Sequence, residues 1–415
     1  MLKAQKNLAQ LMLLSSLLIC VLTETAVGKK AVQKPGVIID ASREINMSEP
    51  DIIHFENTVV FRPGSANKQS NEGVTTTIFE YVVAVDYADT LVDLEAMNAD
   101  TNYPLKVMRA EQPLSPDSLT HYNATDFLWF RIDVSESYKA SLADHNDEQA
   151  EVHIEINEYH KRRRDAFPER LGLKEEQTMR VSDSRYLLSP YTVQTQQTLY
   201  LFPSSGIPEM FTEREGSKVT DRGVRYGPYQ HVKPYSFDLI QLLFKSPEPQ
   251  LILTRASKAV HVSHWGFIGV DEYFQLENIG AHLKGEFNRV DFHKKGNGRN
   301  CMEMITAKYP WYIQNLYFHD YIGNISSTNA LREEQHVNVD YYPRFPVCGG
   351  WQVDWNMGYK MPTKYHLNRL SESDNMYTLE IPFLYNYDVL LAEDYTVEVI
   401  LPYGATDISV SNQIM

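Results

Sequence analysis

Cysteine is scarce in this sequence of 415 residues, which contains three. Cys20 lies in the N-terminal apolar segment described below, so Cys301 and Cys348 remain for the rest of the chain. Two cysteines cannot organise a disulfide-stapled scaffold of this length, and that class of secreted fold is excluded. Cys301 and Cys348 either form one disulfide in an oxidising compartment or stay as two buried thiols, and the sequence leaves both possibilities open.

Long hydrophobic runs are missing beyond the first 28 residues, where no stretch approaches the roughly 18 apolar residues of a membrane-spanning helix. Residues 1–28 follow the pattern of a signal peptide. Two lysines precede the apolar run Leu11–Leu22, and the small residues of Ala26-Val27-Gly28 end it. We therefore expect the mature chain to begin near residue 29, in the secretory pathway. The alternative is an uncleaved signal anchor.

Positively charged residues are also few. The sequence has 39 Lys and Arg residues and 54 Asp and Glu residues, which gives a formal net charge of −15. A general nucleic-acid binder needs a basic face to neutralise phosphates, so nucleic acid is not an expected partner. The one dense basic run is Lys161-Arg162-Arg163-Arg164. A solvated loop is the favoured interpretation of this run; a phosphate, heparin or membrane patch, or a processing site, is the alternative.

Familiar catalytic motifs are absent as well. The sequence has no HExxH zinc-peptidase motif, no GxSxG nucleophile motif and no P-loop. His261 and His264 are three residues apart in a predicted strand, so they would point to opposite faces and not share a metal ion. We predict no catalytic, cofactor-binding or metal-binding residues and no cofactor. A hydrolase with a dispersed active site is a further alternative that no motif supports.

What the sequence does contain is a strong β signal. Aromatic residues make up 12% of the chain, with 26 tyrosines, and such residues favour strands. Apolar and polar residues alternate in Val152–Asn157, His336–Tyr341 and Tyr395–Leu401, which is the period of a half-buried strand. Further strands are predicted at Thr75–Val85, Phe127–Val134, Thr192–Phe202, Phe237–Phe244, Lys258–His264 and Tyr377–Tyr387. Short helices are predicted only at Asp89–Ala99 and Ser135–Asp144.

The clearest interruption of the strand pattern is Lys245-Ser246-Pro247-Glu248-Pro249. Proline cannot donate to a β ladder, so two prolines among charged and small residues favour a domain boundary. We therefore predict a mainly β chain with few short helices, organised as two tandem β-sandwich-like domains. The expected divisions are a signal peptide at 1–28, a first domain at 29–247 and a second at 248–415.

Three Asn-x-Ser/Thr sequons lie downstream of the signal segment, at Asn46, Asn123 and Asn324. None has proline in the middle position, so each is a possible N-glycosylation acceptor. Asn324 is the strongest candidate, because Gly323 before it and the polar residues after it predict an exposed loop.

Several motifs, taken in order, resemble the luminal region of the ribophorin I family. The resemblance is specific over residues 186–405 and weak before them. The motifs that carry it are Ser189-Pro190-Tyr191, Tyr226-Gly227-Pro228-Tyr229, Val262-Ser263-His264-Trp265-Gly266, Gly280-Ala281-His282-Leu283-Lys284-Gly285-Glu286-Phe287, Asp320-Tyr321-Ile322-Gly323-Asn324-Ile325-Ser326, Pro343-Arg344-Phe345-Pro346, Gly349-Gly350-Trp351 and Leu401-Pro402-x-Gly404-Ala405.

This resemblance implies a large non-catalytic subunit of the oligosaccharyltransferase of the endoplasmic reticulum. It implies two luminal β domains in a type I membrane protein, although no membrane helix precedes Met415, which leaves a fragment and a soluble isoform both open. The implied partners are the other subunits, including the polytopic catalytic one, the vicinity of the translocon and ribosome, and nascent polypeptides. The alternative is a secreted β-sandwich binding protein outside any complex.

The motif residues have two possible roles. Either they hold the second domain together, or their loops contact neighbouring subunits. Tryptophans are large enough to anchor a core, and glycines permit positive φ or close backbone approach. The residues concerned are His264, Trp265, Gly266, Pro343, Arg344, Pro346, Gly349, Gly350 and Trp351.

Overall fold

The computed structural model describes residues 34–49, 51–71, 74–114, 122–144, 149–203, 208–293, 300–371, 376–387 and 390–411. The predicted signal peptide at 1–28 lies outside them. Strands dominate the described residues, which also contain two short α-helices, α1 (Ser135–Asp144) and α2 (Arg289–His293). The predicted mainly β fold is therefore confirmed. None of the helices in these segments is long and apolar enough to cross a membrane.

The strands before residue 247 form one large sheet and several smaller ones. In chain order they are β1 (Val37–Asn46), β2 (Ile52–Arg62), β3 (Lys68–Asn71), β4 (Val74–Ala84), β5 (Leu91–Asn98), β6 (Tyr103–Pro104), β7 (Lys106–Ala110), β8 (Phe127–Asp133), β9 (Val152–Lys161), β10 (Asp165–Ala166), β11 (Arg170–Leu171), β12 (Thr178–Ser184), β13 (Thr192–Leu201), β14 (Met210–Phe211), β15 (Lys218–Val219), β16 (Gly223–Val232) and β17 (Leu239–Lys245). The eight-stranded sheet has the order β15-β16-β13-β1-β2-β9-β5-β6, and two four-stranded sheets have the orders β3-β4-β8-β7 and β10-β12-β17-β14.

The large sheet packs against both four-stranded sheets. In β2, residues alternate between buried and half-buried along the strand, which directs one row, apolar except for Asn57, into the core. Val59 and Phe61 of that row meet Phe79 of β4, and the Phe61 and Phe79 rings lie 4.8 Å apart. Phe55 belongs to a second cluster that includes Phe244 of β17. This arrangement is a sandwich with one continuous layer facing two shorter ones.

The strands after residue 247 form a second set of sheets. They are β18 (Leu251–Val262), β19 (Phe267–Asn278), β20 (His282–Leu283), β21 (Cys301–Met302), β22 (Ile305–Pro310), β23 (Gln314–His319), β24 (Asn329–Arg332), β25 (His336–Tyr341), β26 (Val347–Cys348), β27 (Gln352–Pro362), β28 (Leu367–Ser371), β29 (Met376–Leu379) and β30 (Tyr395–Ile400). A five-stranded sheet, β23-β27-β19-β18-β30, packs on a three-stranded sheet, β22-β25-β24, around buried Phe274 and Trp355.

Each hydrophobic cluster takes its residues from one side of residue 247. The clusters of the first half end at Phe244, and that of the second half begins at Leu251. On this basis we propose that the predicted division at Lys245–Pro249 is a domain boundary, and we call the residues before and after it the first and the second domain. The boundary segment is held in place, because buried Gln177 donates to the carbonyls of Ser246 and Glu248.

Two secondary-structure predictions were wrong. The segment Asp89–Ala99 forms strand β5 rather than a helix, because Ala96 and Asn98 are buried where β5 pairs with β9. Tertiary pairing here outweighs local helix propensity. The predicted strand Tyr377–Tyr387 is limited to β29 (Met376–Leu379). The predicted helix Ser135–Asp144 is confirmed with the same bounds.

Candidate interaction surfaces

The basic run at the end of β9 is part of the contact between the two domains. Arg162 contacts Glu277 and Glu393 of the second domain, each at 2.8 Å, and Lys161 contacts Glu393 at 3.0 Å. The expectation of a solvated loop at Lys161–Arg164 was therefore wrong. These charges bind carboxylates of the same chain, so the run is not a basic patch for an external partner.

The side chains of the other two arginines of the run pack within the first domain. Arg163 contacts Asp183 at 2.7 Å and lies over the Tyr87 ring, with its Cζ 3.6 Å from the ring centroid. Arg164 is buried and donates to the backbone carbonyls of Met47, Glu49 and Ile52. Guanidinium groups suit this task because they carry several donors in a fixed plane. Both arginines stabilise the first domain from within.

Two glycine-containing motifs meet at the same contact between the domains. A Cβ on Gly349 would lie 1.9 Å from the Ala281 carbonyl oxygen, so only glycine fits there. Gly350 has φ +79°, and Trp351 packs beside Phe287 with the ring centroids 5.5 Å apart. These residues hold the backbone of Gly280–Leu283 where β20 pairs with β11 of the first domain.

Cys301 and Cys348 lie next to this contact and form a disulfide with an S–S distance of 2.02 Å. The bond joins β21 to β26, which pair antiparallel. Asn278 donates from its side chain to the carbonyls of Asn300 and Val347, the neighbours of the two cysteines. The disulfide therefore fixes the support on which Gly349 and Gly350 rest.

A second surface is a tight turn after β23. The Asp320 carboxylate accepts the backbone N–H groups of Ile322 and Gly323 at 2.9 and 3.0 Å. Arg344 donates to both oxygens of the same carboxylate, at 2.7 and 2.9 Å. This pairing lowers the pKa of Asp320 to about 2. The turn presents Tyr321, which is 86% exposed, at its tip.

Pro343 and Pro346 flank Arg344, and all three are partly buried while Phe345 between them is exposed. Two motifs that are distant in sequence therefore form one rigid unit. The Arg344–Asp320 pair is the contact that joins them, because a bidentate arginine–carboxylate pair fixes orientation as well as distance.

The three sequons differ in accessibility. The Asn324 and Ser326 side chains are exposed directly after the Asp320 turn, and Asn123 is exposed before β8. Asn46 is half-buried at the end of β1, and its side-chain oxygen accepts the N–H of Ser48 at 2.9 Å. A glycan needs a solvated position, so Asn324 and Asn123 suit the modification better than Asn46.

We expect Asn324 to carry an N-linked glycan when the chain is made in a secretory compartment, because the residue is exposed beside a fixed turn. Replacing Asn324 by glutamine should remove one endoglycosidase-sensitive modification, visible as a mass change in intact-protein mass spectrometry. The matched control is Asn46→Gln, for which no change is expected. An unmodified Asn324 peptide from the wild-type protein would contradict the prediction.

The third surface is the end of the β18–β19 pair opposite to Glu277, the residue that contacts Arg162. The β18–β19 hairpin ends at Trp265, which is 89% exposed, and Gly266 in this turn has φ +82°. Of the two roles left open for Trp265, this exposure excludes that of a core anchor. The Ser263 hydroxyl accepts the Trp265 N–H at 3.1 Å, and the Gly266 carbonyl accepts the N–H of Thr363. His264 is exposed in the same turn.

Other aromatic residues lie at this end. Trp311 precedes β23 and contacts Tyr365, whose ring stacks on Tyr312 with the centroids 4.3 Å apart. Tyr403 follows β30 and is fully exposed. We call Trp265, Trp311, Tyr365 and Tyr403 the distal aromatic end. Exposed aromatic groups on a braced backbone are typical of protein–protein contact sites.

Buried charge occurs in both domains. In the first domain, Arg43 contacts Asp183 at 2.9 Å, and Glu158 accepts from Tyr81 and contacts His160 at 3.2 Å. In the second, Lys258 and Glu272 lie 3.6 Å apart in the core. Within the described segments no group of three or more His, Cys, Asp or Glu residues is placed to hold a metal ion.

Sequence reasoning missed the functional meaning of several residues. The bridge from Arg162 to Glu277 and Glu393 joins positions more than a hundred residues apart, and no local pattern reports it. The sequence did contain a signal that could have identified Asp320 and Arg344, because both residues belong to motifs shared with one family.

Comparison with known proteins places these features in a family. The family model described as Ribophorin I matches residues 38–415. A protein of Arabidopsis thaliana named dolichyl-diphosphooligosaccharide–protein glycosyltransferase subunit 1A is 32% identical over 247 residues, which is 59% of this chain and 40% of that protein. Subunit 1B of the same plant is 28% identical over 309 residues, or 74% of this chain and 62% of that protein. Subunit 1 of Caenorhabditis elegans is 29% identical over 256 residues, or 61% and 43%.

The matches to these three relatives span between 40% and 62% of each relative's length. Solved structures align poorly. An aminopeptidase N family protein from Idiomarina loihiensis is 10% identical with a TM-score of 0.27, over 54% of this chain and 31% of that one. The family match, by contrast, covers nearly all of the described residues, and the chain belongs to the ribophorin I family.

Proposed function

We propose that this chain is a non-catalytic accessory subunit of an oligosaccharyltransferase in the endoplasmic reticulum. Such an assembly transfers a preformed oligosaccharide from dolichol-pyrophosphate to the asparagine of Asn-x-Ser/Thr in nascent chains. The observation that carries the proposal is the family match over residues 38–415, since the named relatives are subunits of this glycosyltransferase. The comparisons do not support the alternative of a secreted binding protein outside any complex.

The role we infer is structural support. The sequence carries no familiar motif for a nucleophile, a metal or a phosphate. The proposed partners are the polytopic catalytic subunit, other subunits, nascent polypeptides and the vicinity of the translocon and ribosome.

The distal aromatic end is the surface we assign to contact with other subunits. Its side chains are large and exposed, and a hydrogen bond from the Thr363 N–H to the Gly266 carbonyl braces the backbone of the β18–β19 turn. Preordered aromatic residues lose little conformational entropy on binding and dominate many interfaces. The Asp320 turn is less suited to this role, because a glycan on the neighbouring Asn324 would cover it.

A pull-down of the tagged chain from a secretory-compartment extract tests this proposal. The wild-type chain should copurify with the other oligosaccharyltransferase subunits. Substituting Trp265→Ser and Tyr403→Ser together should reduce that copurification by at least about tenfold, since loss of one interface hot spot costs about 2 kcal/mol or more.

The control is Tyr321→Ser, which removes an equally exposed aromatic group from the Asp320 turn and should leave copurification unchanged. The purified chain alone should transfer no oligosaccharide to an acceptor peptide. Transfer by the isolated chain, or a wild-type chain without any associated subunit, would refute the proposed function.

A further inference from the structure

The free edge of β30 has the features of a binding site for an extended polypeptide. β30 forms the last strand of the five-stranded sheet and pairs in parallel with β18 from Tyr395 to Ile400. Within the described segments no other strand pairs with it. An unpaired edge presents backbone N–H and C=O groups at the spacing that another strand requires.

The register shows which groups face outwards. Ala256 lies opposite Tyr395 and donates its N–H to the carbonyl of Asp394. In a parallel pair the bonding direction alternates along the strand, so the backbone groups of residues 396, 398 and 400 face β18. Those of Tyr395, Val397 and Val399 therefore face the free edge.

An apolar shelf lies beside this edge on the core side of the sheet. Phe383 and Leu384 are both more than half exposed. The Phe383 ring packs on Tyr395 with the centroids 5.5 Å apart, and the Tyr395 hydroxyl donates to the Phe383 carbonyl at 2.6 Å. Val399, on the same side of the strand, is also exposed. A strand added at this edge would place every second side chain on the shelf.

β30 also lacks the usual protection of an edge strand. It has six residues, a single charge at Glu398, no proline and no register shift. The other edge strands in the described sheets are two to four residues long, carry lysine or arginine, or shift register. Lysine, proline and irregularity are the devices by which proteins prevent edge pairing, so β30 is the edge best prepared to accept a strand.

We propose that the β30 edge and the Phe383–Leu384 shelf bind unfolded polypeptide segments in which apolar residues alternate with polar or basic ones. Backbone pairing supplies affinity that tolerates many sequences, and the shelf selects apolar side chains at alternate positions. Glu398 and the net charge of −15 favour basic residues on the outer face. The choice of unfolded chains as occupant rests on the proposed function, which brings this protein to nascent polypeptides.

The test uses the purified chain and a fluorescein-labelled ten-residue peptide that alternates valine with threonine and lysine. Fluorescence anisotropy should show saturable binding, and the same peptide N-methylated at alternate residues should bind at least about tenfold more weakly, since it lacks the donors. Val397→Pro should weaken binding to a similar extent, because the N–H that it removes faces outwards and not towards β18.

Leu384→Lys places a charge on the shelf without touching the β18–β30 ladder, so it tests the proposal even if the proline variant misfolds. Leu370→Lys is the matched control, because Leu370 and Leu384 have the same 65% exposure. We expect at least about tenfold weaker peptide binding for Leu384→Lys and less than about twofold for Leu370→Lys.

Equal binding by wild type and Leu384→Lys would overturn the proposal. So would wild-type dimers that Val397→Pro dissociates, which would assign the edge to a second copy. Loss of subunit copurification in Val397→Pro would likewise assign it to a subunit interface. Peptide binding by the isolated chain is measured separately from copurification, so failure here leaves the proposed function intact.

Discussion

Replacing Asp183 by asparagine is expected to destabilise the first domain by about 3–5 kcal/mol. Asp183 is almost fully buried and contacts two guanidinium groups, Arg43 at 2.9 Å and Arg163 at 2.7 Å, while the Tyr200 hydroxyl donates to it at 2.9 Å. Asparagine keeps the shape but leaves two largely buried positive charges without a counter-charge. Urea denaturation, followed by hydrogen exchange of peptides from residues 34–245, measures the loss in that domain.

The matched control is Asp165→Asn. Asp165 contacts Arg180 at 3.4 Å with its side chain 68% exposed, and such surface pairs contribute about 0–1 kcal/mol. Equal losses in the two variants would show that the Asp183 network does not stabilise the domain.

The contacts of Asp183 with Arg43 and Arg163 also predict that the first domain loses stability in acid. Burial alone would raise the pKa of Asp183, but Arg43 and Arg163 outweigh it and hold the pKa below the ordinary value of 3.8. A carboxylate whose pKa is lowered by folding stabilises the native state above its unfolded pKa, and this contribution disappears as the pH falls through the folded pKa. The difference between wild type and Asp183→Asn should therefore shrink below about pH 4.

Replacing Lys258 by methionine is expected to destabilise the second domain by a similar amount, about 3–5 kcal/mol. Lys258 and Glu272 are 2% and 1% exposed and lie 3.6 Å apart. Among the described residues neither Glu272 oxygen has a hydrogen-bond partner, so the ammonium group is the main compensation for its charge. Lys258 also donates to the carbonyls of Pro382 and Leu384, each at 3.0 Å. Urea denaturation with hydrogen exchange of residues 251–400 reports this loss.

A double variant separates the charge from the packing. Lys258→Met with Glu272→Met removes both charges, and we expect stability to return to within about 2 kcal/mol of wild type, with the remainder from two unpaired carbonyls. In Lys258→Met alone, burial raises the pKa of Glu272 without opposition. Protonation then relieves the penalty, so the loss should be smaller at pH 5 than at pH 8. A loss that is the same at both pH values, or in single and double variants, would rule out this account.

Local patterns were sufficient for some elements. The alternation in Tyr395–Leu401 predicted β30 to within one residue, and Ser135–Asp144 was predicted as a helix with its observed bounds. Both signals reside in neighbouring residues, which is why they can be detected without a partner. The wrong prediction of a strand at Tyr377–Tyr387 shows the limit of such local patterns. Tyr385 and Tyr387 are directed into the core, and the carbonyls of Pro382 and Leu384 accept hydrogen bonds from Lys258. Within the described residues the chain after β29 therefore bends, and only an isolated bridge at Tyr387 remains of the predicted strand.

The candidate surfaces also have some features that the sequence predicted and others that it could not predict. The resemblance identified Trp265, Asp320 and Arg344 as motif residues, but not that Trp265 is exposed or that the other two meet. Exposure depends on where a hairpin ends relative to the rest of the fold, and pairing depends on the long-range path of the chain. The free edge of β30 is equally invisible in sequence, because an edge is defined by which strands are not beside it.

Two of the parallel pairings, β1 with β13 and β18 with β30, have a consequence for the time course of synthesis. In each pair the second strand follows the first by well over a hundred residues. At 5–20 residues per second, β18 waits roughly 5–30 s before β30 has been made. During this interval a twelve-residue strand lacks one neighbour, and the sheet is complete only when nearly the last described residues arrive. A ribosome that pauses before residue 395 therefore prolongs the period in which the chain itself needs protection from aggregation.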